Sequence, residues 1–182
     1  THSFLEWATA LGILCTALFI AYATSFYKSF HYDDYHSLVR NPHIRSLANL
    51  PRFFVDPSTF SVDTKIAMYR PVLLATYALN FEQSGLDARA FHLTNVLLHA
   101  LNASLVFVLM LQLTGKRMLA AGSGLLFAVH PINSEAANYV SSRSELLMAS
   151  FLLIACIAFL RHLAGTTSWY IVAYCSAAMS LL

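Results

Sequence analysis

Charge is what this sequence most lacks. Asp, Glu, Lys and Arg make up 11% of its 182 residues, against 58% apolar types; soluble domains carry about 25% and 45–50%. A water-soluble fold of this size cannot hide so much apolar surface, so lipid is the expected solvent. The same shortage excludes intrinsic disorder, which needs low hydrophobicity and high charge. A net charge of +2 offers no footprint for nucleic acid. Cysteine is scarce too. Cys15, Cys156 and Cys175 all lie in apolar runs, so they make no disulfide framework and read as small core residues. Internal repeats, low-complexity tracts and a signal-peptide cleavage site are also missing. The chain opens at Thr1 without a methionine and stops at Leu182 inside an apolar run. The expectation is part of a longer protein.

What is present is a series of apolar runs. The first span covers about 5–27, with 21 uncharged residues from Trp7 to Tyr27, enough for about 30 Å of hydrocarbon. A second covers 90–114 with Asp87 at its N-cap, and a shorter third 118–131. The fourth covers 146–160, opened by a capping box Ser142-Arg-Ser-Glu145, and a fifth runs over 168–182. The fold class expected is an all-α integral membrane protein, a polytopic bundle. Its first loop, 28–89, is large and holds seven of the eleven basic residues and six of the nine acidic ones. Short apolar pieces such as His43–Leu50 and Pro71–Phe81 lie there, too short to cross and flanked by charge, which suits helices on the membrane surface. Lys116-Arg117 and Arg161 put two short loops on the cytoplasmic side, so the first loop and 132–145 face the lumen or periplasm. The basic residues of the first loop pull against that orientation, although loops of about 60 residues escape the rule.

Four polar groups gather at the extracytoplasmic ends. His31-Tyr32-Asp33-Asp34-Tyr35-His36 follows the first span; its carboxylates suit a general base at a partly dry interface, or a solvated pair capping a surface helix. Tyr69-Arg70-Pro71 offers an Arg that either snorkels to headgroups or grips a lipid-linked phosphate. His92, Asn95, His99 and Asn102 share one face of the second span within an arc of roughly 80°. That stripe reads equally as interhelical hydrogen bonding or as the wall of a polar cavity. Finally His130-Pro131 through Glu135 to Arg143 closes the third span, with Glu135 either favouring a helix N-terminus or facing the Asp pair across a cleft. The histidines of the stripe are seven apart, which does not suit a helical zinc site, and no dedicated metal site is evident.

Read in order, these pieces resemble the N-terminal half of the GT-C glycosyltransferases, and most nearly the O-mannosyltransferase-like membrane proteins with C-terminal tetratricopeptide repeats. The matching residues are Tyr32-Asp33-Asp34 with Asn41, Tyr69-Arg70-Pro71, and Phe91-His92-Leu93 with Asn95 and His99. They continue through Leu126-Phe127-Ala128-Val129-His130-Pro131 with Glu135 to Ser142-Arg143-Ser144-Glu145-Leu146-Leu147. Arg143-Ser144-Glu145 stands where a Gly-Arg-Ala-Asp-like run is expected. The resemblance implies transfer of a hexose, such as mannose, from a polyprenyl- or dolichyl-phosphate donor to a protein hydroxyl. It makes Asp33 and Asp34 the catalytic pair, with Arg70, His92, Asn95, His130, Glu135 and Arg143 around the substrates. It leaves the cofactor open, a divalent metal included. Implied partners are the bilayer, the lipid-linked sugar, an acceptor protein and other membrane subunits.

Two other classes compete with it. A non-catalytic transmembrane scaffold predicts the polar stripe buried with no open pocket. A haem bundle using His92, His99, His130 and His162 is disfavoured, because His162 belongs at the opposite face.

Overall fold

The computed structural model describes residues 12–13, 16–18, 20–27, 29–63, 65–165 and 169–179. The start of the first expected span, Cys15, and both ends of the fifth, Ser168 and Leu182, lie outside the described residues. Every regular element among those described is helical. In order they are α1 (Thr16–Tyr27), α2 (Leu50–Phe53), α3 (Pro71–Ser84), α4 (Ala88–Thr114), α5 (Arg117–Val129), α6 (Ser134–Asn138), α7 (Arg143–Leu163) and α8 (Trp169–Met179). Single 3₁₀ or π turns fill the loop between α1 and α3, as at Tyr35–Val39, His43–Arg45 and Pro57–Phe60.

Among the described residues, two segments are long and apolar enough to cross a membrane, α4 and Val140–Leu163. Helix α4 starts where Asp87 accepts the Arg89 amide at 3.0 Å, and it stops at Gly115, whose left-handed backbone lets its amide close on the Leu111 carbonyl. The capping box at Ser142 does not form. Ser142 sits in a 3₁₀ turn and caps α7 with no side-chain bond, because that turn, rather than an extended N-cap residue, leads into the helix.

The packing divides into two cores. In one, α4 lies against α5 and α7, and small residues let the helices approach: Ala103 and Ala128 are buried. A Cβ added at Gly124 meets the Ala103 carbonyl at 3.1 Å and Phe107 Cβ at 3.2 Å. Close approach through small residues is the usual means of helix association in lipid. In the other core, the large loop folds over α3. Leu38, Ile44, Phe53, Phe60, Leu73, Leu74 and Tyr77 cluster with Phe91 of α4 and Val140. Asn41 holds this loop together, donating to the carbonyls of Ser37, Thr59 and Phe60 and accepting the His43 amide. The loop is therefore a packed layer seated on the ends of α4 and α7, and it carries His31–Asp34 to the 138–144 segment.

Candidate functional site

The two neighbouring aspartates have opposite surroundings. Asp34 is 1% exposed. Its Oδ1 accepts the Ser141 amide at 2.9 Å and the Ser141 hydroxyl, and its Oδ2 accepts the His31 amide at 2.9 Å. With three donors already in place, this carboxylate fastens the 31–34 turn to Ser141. Asp33 keeps its side chain 68% exposed, with Oδ1 3.6 Å from His36 Nε2. Its backbone amide donates to the Tyr139 hydroxyl at 2.9 Å.

Between them the two aspartates fix a tight turn. Tyr32 adopts φ 40, a left-handed conformation that is uncommon outside glycine and costs about 1–3 kcal/mol. The Asp34 amide donates to the His31 carbonyl at 2.9 Å and the Tyr35 amide to the Tyr32 carbonyl at 3.1 Å, so the surroundings hold the turn in place. Its product is a hollow of about 390 Å³ lined by His31, Tyr32, Glu135, Asn138 and Tyr139. Residues some 100 positions apart, His31 and Tyr32 with Glu135, thus border one hollow. Glu135 is exposed there, and Asn138 is tied to α1 by the Ser25 hydroxyl.

Arg143 belongs to the interior. It is 0% exposed. Its Nε donates to Asn95 Oδ1 at 2.8 Å, Nη1 to Asn80 Oδ1 at 2.7 Å and Thr76 Oγ1 at 3.2 Å, and Nη2 to the Phe91 carbonyl at 3.0 Å. The guanidinium also lies over the rings of Tyr77 and Phe91, 4.9 and 5.5 Å from their centroids. Every one of these partners is internal, so the side chain is walled in. Arg70 stays half-buried. Its Nη1 donates to Ser144 Oγ at 3.1 Å and its guanidinium lies over Phe60. Arg143, Asp34 and Arg70 all act electrostatically on the Tyr77 phenol, so both arginines and the buried carboxylate surround one tyrosine. That phenol donates to the Val140 carbonyl at 3.0 Å, and burial pushes its pKa well above the ordinary tyrosine value.

The polar stripe of α4 is buried throughout. Asn95 donates to the Tyr139 carbonyl at 3.0 Å, and Asn102 to the Leu146 carbonyl at 2.9 Å. His99 Nε2 lies 3.0 Å from the Ala128 carbonyl oxygen and 3.2 Å from the Tyr22 hydroxyl. Of the two readings of the stripe, interhelical bonding is the one observed. His92 is buried with it, so neither His92 nor Asn95 opens on the hollow. His130 is exposed and caps the Pro131–Asn133 turn by accepting the Ile132 amide at Nδ1. Among the described residues no three His, Cys, Asp or Glu side chains converge to hold a metal ion.

Sequence reasoning missed Tyr139 and Ser141, the partners of the two aspartates, and Thr76 and Asn80, which receive Arg143. The last two were discoverable. They stand four apart on α3, on one face, and their polar side chains among Val, Leu, Ala and Tyr mark where a buried donor must sit.

No family model matches the chain, and no solved structure matches it. Named relatives do. The chain is 33% identical over 155 residues to Protein O-mannosyl-transferase Tmtc1 of Drosophila melanogaster, covering 82% of this chain and 18% of that protein. It is 32% identical over 163 residues to Protein O-mannosyl-transferase TMTC1 of Homo sapiens, with 86% and 18% covered. With Protein O-mannosyl-transferase F38B6.6 of Caenorhabditis elegans the identity is 31% over 158 residues, with 81% and 22% covered. The chain therefore spans about a fifth of the length of these relatives. Over most of its own length it is homologous to the protein O-mannosyl-transferases.

Proposed function

We propose that this chain is the part of a polytopic GT-C-type membrane glycosyltransferase that presents the acceptor to the base. The enzyme moves mannose from a polyprenyl- or dolichyl-phosphate to a protein hydroxyl at the lumenal or periplasmic face. The relatives' names supply the transfer of mannose to protein. The observation that carries the rest is the division of labour between the aspartates. Asp34 fastens the 31–34 turn to Ser141, and Asp33 keeps an exposed carboxylate on the residue whose amide bonds Tyr139 of the hollow's lining.

In this reading the hollow receives the acceptor segment. Asp33 takes the proton of the acceptor hydroxyl as its oxygen bonds to the anomeric carbon. The bond between that carbon and the phosphate oxygen breaks with inversion, and the electron pair leaves on the lipid phosphate. One base and a cation at the leaving group suffice. Arg70 is the cation we assign, since it is half-buried and not enclosed by internal acceptors as Arg143 is. A narrow apolar crease bordered by Val72, Leu73, Ser144, Leu147, Met148 and Phe151 begins beside its Ser144 contact. The scaffold alternative shares the buried stripe, but it has no use for a strained turn opening on a hollow.

The test is transfer by the full-length protein carrying Asp33→Asn, assayed with dolichyl-phosphate mannose and a Ser/Thr acceptor peptide. Loss of transfer with the fold retained supports the reading; transfer at the unmodified rate removes Asp33 from the chemistry and the reading with it.

A further inference from the structure

One continuous set of hydrogen bonds runs from the buried cation to the exposed carboxylate's backbone. Arg143 Nε donates to Asn95 Oδ1 at 2.8 Å, Asn95 Nδ2 donates to the Tyr139 carbonyl at 3.0 Å, and the Tyr139 hydroxyl accepts the Asp33 amide at 2.9 Å. Each member has a defined part. Arg143 can only donate, so it fixes which way the Asn95 amide is turned. With its oxygen committed to the guanidinium, Asn95 must present its NH₂ to Tyr139. Tyr139 is then held at both ends, by its carbonyl and by its hydroxyl, and it forms part of the hollow's wall.

We propose that Tyr139 is the positioning residue for Asp33, held in register by Asn95 and the buried Arg143, so that this network aims the carboxylate at the acceptor hydroxyl. The proposal rests on the reading of Asp33 as the base, and it assigns Tyr139 no contact with the reacting atoms. The turn it steadies is the strained one at Tyr32 (φ 40), where a lost tether lets the backbone relax and swings the neighbouring side chain away. Desolvation and the nearby carboxylates of Asp33 and Asp34 push the Tyr139 pKa up, which keeps the phenol neutral as it accepts the amide.

Two variants in the full-length protein test this, again with dolichyl-phosphate mannose and a Ser/Thr acceptor peptide. Tyr139→Phe keeps the ring and the carbonyl that Asn95 needs but removes the acceptor for the Asp33 amide. Asn95→Asp keeps an oxygen for Arg143, now charge-assisted, but removes the donor to Tyr139. Both are expected to lower kcat by about 10-fold or more, the order produced by misplacing a catalytic group. Donor KM stays within about twofold, and kcat is referred to the amount of folded protein, because the Asn95→Asp carboxylate binds the guanidinium more strongly but sets an oxygen against the Tyr139 carbonyl. Unchanged kcat in both variants, or a loss of rate that only follows loss of folded protein, overturns the proposal. Asp33→Asn separates the two levels. If it is inactive while Tyr139→Phe is fully active, only the positioning role fails; if it is active, the base assignment fails as well.

Discussion

The Asp34 carboxylate receives the Ser141 amide at 2.9 Å across 107 positions of sequence. This bond, with the Ser141 hydroxyl and the His31 amide on the same carboxylate, closes the large loop onto the segment before α7. It sets up a contrast between adjacent residues. Asp34→Ala removes the buried carboxylate that accepts three hydrogen bonds, each worth about 1.5–3 kcal/mol when made to a charged group. Denaturation in detergent is expected to show a clear drop in stability for Asp34→Ala and none for Asp33→Asn, while both lose transfer.

Arg143 is expected to resist conservative replacement. Its guanidinium serves four acceptors in separate directions, which a single ammonium cannot reach in that geometry. Arg143→Lys and Arg143→Met both strand buried acceptors, including Asn80 and the Phe91 carbonyl, and each is expected to lose more than about 3 kcal/mol. Unfolding of the purified variants measures this, and Arg143→Lys at parental stability contradicts it.

The contact of α4 with α5 turns on one glycine. Gly124→Val drives carbon atoms into the Ala103 carbonyl and Phe107, and overpacking of this kind costs about 1–3 kcal/mol. A Cβ at Gly122 has nothing within 4 Å. Gly122→Ala is therefore expected to match the parent in thermal stability, while Gly124→Val falls below it.

Tyr77 sets an alkaline limit. Its folded-state pKa is raised above the 10.0 of an ordinary tyrosine by burial, while the unfolded chain ionises near that ordinary value. The corresponding stability is complete below about pH 10 and is lost as pH rises through the folded-state pKa. The unfolding temperature, followed from pH 8 to pH 12, is expected to fall at the alkaline end. In Tyr77→Phe that part of the fall is absent, although the variant starts lower for want of the Val140 bond.

Much of this arrangement is legible in the residues. Asp87 announces the start of α4, and the stripe from His92 to Asn102 announces a face turned toward other helices, because buried polar groups in lipid must find partners. The meeting of His31 and Tyr32 with Glu135 is what the order of apolar spans leads one to expect. The sequence does not say which of two adjacent aspartates turns inward, since that depends on a π turn and on Ser141, a small residue with no pattern of its own. Nor does it distinguish a buried Arg143 from an exposed one. Charge suggests solvent or phosphate, and the acceptors that overrule it are spread over α3 and α4.

The most direct measurement joins two residues that line the hollow, Tyr32 and Glu135. In the full-length protein with its own cysteines replaced by alanine, Tyr32→Cys and Glu135→Cys are introduced together. A short, membrane-impermeant bifunctional thiol reagent is then applied to microsomes before and after the lumen is opened. The account predicts that the two positions become linked within one chain, and only once the lumenal side is accessible. Cysteines that each react singly but never join, or that join from the cytoplasmic side, contradict it.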